Sequence, residues 1–245
     1  MTAIVILHGW GSSAERWLHI KRALQGQGFN VSAPDLPGFG KSILPQTAWQ
    51  VSDYVDWVKN FCDKQNISQF FLFGHSFGGR IAIKFAAQYP EKLKGLILCA
   101  SAGIKPKRNL LALVVAKTGK AIFNLPILNK FHPFLRKVLY VKILRRTDYF
   151  NTKGVMKEIF QNVINEDLTL YLSKIKAKTL ILWGKQDKLT PIKDAYLMHK
   201  EIKNSQLEVF EGVGHSLRRE NPELLVKKIR GHIKSQVGSY TAPPK

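Results

Sequence analysis

The chain has 245 residues, 45% of them hydrophobic, and carries 38 Lys and Arg against 17 Asp and Glu, a formal charge of +21. That length and apolar content suit one large-cored domain, and without a run of about 18 apolar residues no membrane-spanning helix is expected. The two cysteines, Cys62 and Cys99, are too few for a disulfide scaffold and read as buried thiols, which suits a cytoplasmic location.

The chain enters a strand at residues 3–7, with no charged leader or cleavage site before it, so no secretory signal is expected. Ile4-Val5-Ile6-Leu7 runs into the glycine-rich turn His8-Gly9-Trp10-Gly11. Residues 14–26 read as a helix and 29–34 as a second strand ending at Pro34-Asp35. A helix is predicted over about 48–64, with Thr47 and Gln50 as a capping box and Val51, Tyr54, Val55, Val58 and Cys62 as its apolar stripe. Strand 69–74 leads through Gly74-His75-Ser76-Phe77-Gly78 into a helix from Phe77 to Tyr89, and strand 94–100 follows. Strand 179–183 leads to Gly184-Lys185-Gln186-Asp187 and a helix opening at Thr190-Pro191. Strand 207–210 leads to Gly212-Val213-Gly214-His215, and a last helix opens at Asn221-Pro222-Glu223. The alternation predicts an α/β fold, a mostly parallel sheet with helices on both faces.

Gly74 and Gly78 flank Ser76 by two residues each, which lets the backbone turn sharply from strand to helix and leaves the hydroxyl clear of the sheet. Ser76, Asp187 and His215 follow in the order nucleophile, acid, base, each just past a predicted strand. In that reading Ser76 attacks an acyl carbon, His215 carries the proton and Asp187 orients the imidazole. The backbone N–H groups of Trp10 and Phe77 would form an oxyanion hole. His8, Gly9, Gly74, His75 and Gly78 are expected to support the site structurally, and Asp35 to tie down its own loop. Asp194 and Ser101 are poor substitutes for Asp187 and Ser76, and His19, His132, His199 and His232 have no identifiable partner. Gly40-Lys41-Ser42 is not a phosphate loop, because Asp35 stands where that motif needs glycine. No dinucleotide fingerprint or zinc spacing is found, and the chemistry calls for neither cofactor nor metal.

On these motifs the chain resembles the α/β-hydrolase superfamily over residues 1–100 and about 170–236. His8-Gly9-Trp10-Gly11 and Asp35-Leu36-Pro37-Gly38-Phe39-Gly40-Lys41-Ser42 are similar to loops of small serine carboxylesterases of the pimeloyl-carrier-protein methyl esterase kind. The resemblance implies a core of residues 1–102 and 171–236, a helical lid at 103–170 and a flexible tail at 237–245. Such relatives carry a strand pair ahead of the His-Gly turn; only seven residues precede His8 here, so strand 29–34 would become a sheet edge, open to dimerisation unless blunted. Between Lys105 and Glu158 there are 13 basic residues against two acidic ones, interleaved with apolar runs such as Leu110–Ala116 and Phe134–Tyr140. These read as a lid with an apolar inner face. The positive outer face is a solvated surface, or meets an acidic protein partner or an anionic surface.

The resemblance implies a serine hydrolase of carboxylic esters working through an acyl-enzyme. Thioester, lactone or carbon–carbon bond hydrolysis on the same triad are alternatives. The serine argues against relatives with an aspartate nucleophile, and Ser216-Leu217-Arg218-Arg219 lacks the tryptophan that usually follows the histidine of carbon–carbon hydrolases. Non-enzyme alternatives are a ligand receptor or scaffold keeping the fold and a basic protein binding nucleic acid or membrane, the latter resting on charge alone.

Overall fold

The structure, a computed structural model, describes residues 1–105 and 153–237. Its sheet contains β1 Ala3–Leu7, β2 Asn30–Ser32, β3 Phe70–His75, β4 Leu93–Cys99, β5 Thr179–Gly184 and β6 Ser205–Phe210. All are parallel, in the order β2-β1-β3-β4-β5-β6. Chain order reverses between β1 and β3, the switch point where an open parallel sheet leaves a crevice beyond its C-terminal strand ends.

The inner strands β1, β3, β4 and β5 are largely buried on both faces, which is why they read as nearly continuous apolar runs, whereas β2 and β6 are partly exposed. Ile4, Ile6, Phe71, Phe73, Leu180 and Leu182 pack with α1 Leu18–Gln25 and α8 Pro222–Val237. Val5, Leu7, Leu72, Ile181 and Trp183 face the other way, toward α2 Val51–Lys64, α3 Phe77–Gln88 and α6 Ile192–Glu201. A 3-10 turn at Ala14–Trp17 precedes α1, and a short helix α7 Leu217–Glu220 precedes α8. Asn221 Oδ1 accepts the Leu224 N–H at 3.1 Å, the cap expected for the last helix.

One cap differs from expectation. Helix α2 starts at Val51, not near 48, and its N-cap is Gln50, whose backbone N–H donates to Asp53 Oδ2 at 2.6 Å. The carboxylate three residues into the helix displaces the Thr47–Gln50 pairing because a charged acceptor binds an N–H more strongly than an amide does. β2 is an edge strand, as expected, and is only three residues long, which leaves little ladder for another chain to extend; β6 is the other edge.

Of the segment between β4 and β5, residues 100–105 and 153–178 are described. Helix α4 Val155–Asn165 buries Met156, Ile159, Phe160 and Val163, and α5 Thr169–Leu172 buries Leu172. Entry and exit of the segment are bonded to each other: Leu168 N–H donates to Gly103 O at 3.0 Å and Lys105 Nζ to Asn165 O at 2.9 Å. The apolar, basic runs at 110–116, 134–140 and 143–146 and the tail from 238 lie outside the described residues.

Candidate active site

Ser76 joins β3 to α3 with φ +53° and ψ −112°, a conformation unusual for a residue with a side chain and worth about 1–3 kcal/mol of strain. The flanking glycines are required by close approach. A Cβ on Gly74 would lie 2.6 Å from Gly78 O and 2.8 Å from Ala82 Cβ, and one on Gly78 would collide with the Leu7 carbonyl of β1. Backbone bonds hold the turn: Ser76 N–H donates to Cys99 O at 3.2 Å, and Ser76 O accepts from Gly79 and Ala102, each at 3.0 Å.

The turn after β1 lies against this elbow. A Cβ on Gly9 would be 3.2 Å from Ser76 Cβ. His8 is buried; its Nδ1–H donates to Gly9 O at 2.8 Å and its Nε2 accepts the Leu36 N–H at 3.0 Å. That acceptor role needs a neutral ring, and burial lowers the His8 pKa accordingly. Asp35 does tie its loop, accepting the N–H groups of Ala14 at 2.6 Å and Lys41 at 2.9 Å. The Trp10 indole sits among Phe39, Phe77 and Phe160, with ring centroids 4.9, 5.2 and 4.9 Å away. Phe77 opens α3, so helix geometry gives its N–H no intrahelical acceptor. Trp10 lies in the turn that follows β1.

Asp187, just past β5, has a buried carboxylate. Its Oδ1 accepts the N–H groups of Leu189 at 2.8 Å and Thr190 at 3.0 Å. Its Oδ2 accepts from His215 Nδ1 at 2.8 Å and from the Thr190 hydroxyl at 2.6 Å. Burial works against the charge, but the His215 and Thr190 bonds outweigh it and hold the pKa below the usual carboxylate range. An ionised Asp187 fixes the proton on His215 Nδ1 and leaves Nε2 free as a base.

The loop after β6 carries His215 back across the strand ends. Gln186 N–H donates to Val213 O at 3.0 Å, and Gly184 is bare because a Cβ there would strike the Val213 and Gly214 carbonyls. Glu220 accepts the N–H groups of Gly214 at 2.6 Å and Ser216 at 3.1 Å. His75 Nε2 donates to the His215 carbonyl at 3.0 Å.

Sequence reasoning missed Thr190 and Glu220. Thr190 was legible only as a helix opener, and no motif marked Glu220. Asp194 lies in the first turn of α6, and Ser101 Oγ donates to Ala102 O at 2.9 Å. His199 bonds Ser205 and His232 bonds Gln236, both away from the strand ends that carry the site. Cys62 and Cys99 are buried free thiols pushed up to about 12 by burial. Among the described residues, no three His, Cys, Asp or Glu side chains cluster as a metal site, and no helix is long and apolar enough to cross a membrane.

Residues 1–222 match the family model described as serine aminopeptidase, S33. The chain is 28% identical over 251 residues to monoacylglycerol lipase ABHD6 of Mus musculus, covering 93% of this chain and 74% of that protein. It is 25% identical over 249 residues to 2-hydroxy-6-oxononadienedioate/2-hydroxy-6-oxononatrienedioate hydrolase 1 of Pseudomonas putida, covering 90% and 84%. Its fold is similar to that of a bacterial membrane phospholipase A, with a TM-score of 0.73 and 25% identity over 97% of this chain and 80% of that one. The chain belongs to the serine aminopeptidase S33 family of α/β-hydrolases and is a hydrolase.

Proposed function

We propose that this hydrolase cleaves carboxylic esters through Ser76, His215 and Asp187. The observation that carries the reading is the Asp187–His215 bond of 2.8 Å beside a strand–helix turn whose serine has positive φ. Ser76 Oγ would attack the acyl carbon as His215 Nε2 takes its proton. The tetrahedral oxyanion would be met by the N–H groups of Trp10 and Phe77, and loss of one such donor typically costs about 10²–10³ in rate. Collapse would pass the proton from His215 to the leaving alcohol and leave an acyl-Ser76 ester. A water deprotonated by His215 would release the acid. Asp187 keeps its negative charge throughout. The Trp10, Phe39, Phe77 and Phe160 rings offer an apolar wall that suits an acyl chain.

Two matched proteins named for ester hydrolysis, a monoacylglycerol lipase and a phospholipase A, support an ester over other acyl bonds. The test is hydrolysis of p-nitrophenyl esters from acetyl to palmitoyl, alongside a p-nitroanilide and a thioester, by the wild type and Ser76→Ala. Ester turnover abolished by Ser76→Ala is expected. Faster turnover of the anilide or thioester than of any ester would reassign the bond, and ester turnover surviving in the variant would remove the nucleophile.

A further inference from the structure

His75 ends β3, directly before Ser76. Alternation along the strand sends its ring to the face of Phe71 and Phe73, against the 3-10 turn, while Gly74 faces α3. There it lies 5.6 Å from the Trp17 ring and 5.0 Å from the His215 ring. Its Nε2 is 3.0 Å from the His215 carbonyl oxygen, which can only accept, so Nε2 carries the proton.

We infer that His75 is a positioning residue for hydrolysis: its Nε2–H holds the His215 main chain and thereby sets where the His215 imidazole stands beside Ser76. The inference rests on the triad proposed above. The loop needs such a hold, because β6 is three strands from β3, about 14 Å at roughly 4.8 Å per strand. Asp187 grips the far end of the residue, at Nδ1, and Glu220 grips the N–H groups on either side of it. Neither engages the carbonyl of residue 215, and that is the group His75 takes. The tie joins the nucleophile's own strand to the base's backbone, so the two reacting side chains share one frame. A displacement of about 1 Å at such a pair can cost about 10²-fold in rate.

Charge around the ring favours the neutral donor. Burial, and then the neighbouring His215, push the His75 pKa down to about 3; Arg218 acts in the same direction and Asp187 against it. His75 therefore stays uncharged through the neutral range and adds no repulsion when His215 takes its proton.

The test compares His75→Gln, whose longer amide can still donate, with His75→Leu, which cannot, and with Ser76→Ala as the reference for the triad. His75→Leu is expected to lower kcat on a p-nitrophenyl ester about 10- to 100-fold with KM within about twofold. Fluorophosphonate labelling of Ser76 should slow by a similar factor, and His75→Gln should recover most of both. His75→Asn, polar but too short to reach the carbonyl, replaces the Leu variant if that does not fold. Wild-type kcat and labelling in the Leu or Asn variant, or equal loss in the Gln variant, would overturn the inference while an inert Ser76→Ala leaves the triad standing. Turnover surviving in Ser76→Ala would overturn the triad and this inference with it.

Discussion

At the scale of single residues, polar side chains around Asp187 and His215 divide the work of orienting one imidazole. The Thr190 hydroxyl, 2.6 Å from Asp187 Oδ2, steadies the carboxylate that His215 also uses. Thr190→Val should lower kcat about tenfold with little change in KM, which steady-state kinetics on one ester would register. Asp194 shows the opposite electrostatics. Burial raises its pKa to about 6, against the pull of Lys193 and Arg80. The folded state thus keeps a proton that the unfolded chain releases near pH 4, so the contribution of Asp194 to stability declines as pH rises from about 4 to 6. Asp194→Asn should match the wild-type Tm at pH 4 and exceed it at pH 7, as thermal melts at the two pH values can test. Ser76, Asp187 and His215 were legible as a candidate site because each is a reactive residue type just past a predicted strand. Thr190 and Glu220 were not: they act through bonds to Asp187 and to the His215 loop that exist only once β5 and β6 are side by side.

At the scale of elements, the inner strands β1, β3, β4 and β5 were legible because burial on both faces makes them largely apolar. The start of α2 was not, since Thr47, Gln50 and Asp53 all offer capping groups and only the folded backbone selects Asp53. The exit of the segment between β4 and β5 is fixed to α3 by a largely buried ion pair. Lys84 Nζ lies 2.5 Å from Glu166 Oε1 and 2.7 Å from Ser52 Oγ, and Arg80 Nη1 donates to Glu166 O at 2.9 Å. Removing one partner leaves a buried charge, so Glu166→Ala should destabilise the protein by about 3 kcal/mol in urea unfolding. The double change Lys84→Met with Glu166→Leu should recover most of that loss. With the Lys105–Asn165 and Leu168–Gly103 bonds, this pair ties the described ends of that segment to each other and to the core.

At the scale of the whole molecule, the parallel sheet brings the ends of β1, β3, β5 and β6 to one rim, and Trp10, Ser76, Asp187 and His215 all follow strands that finish there. Four short sequence signals scattered over more than 200 residues thus come to one rim of the sheet. Their chain order was readable, while the closeness of their approach depends on bare positions such as Gly78 and Gly184, where a Cβ would meet a neighbouring carbonyl. The charge of +21 is a property of this same scale. Generic attraction should retain the protein on DNA or anionic vesicles at low salt and release it by about 150 mM, a range that a salt-gradient binding assay spans. Retention well above that range would instead indicate a specific anionic partner.

The central claim is that Ser76 is an activated nucleophile. Intact-protein mass spectrometry after fluorophosphonate treatment tests it most directly. One adduct on the wild type, mapped to Ser76 and absent from Ser76→Ala, is the predicted result. An unlabelled wild type, or an adduct that persists in Ser76→Ala, would contradict it.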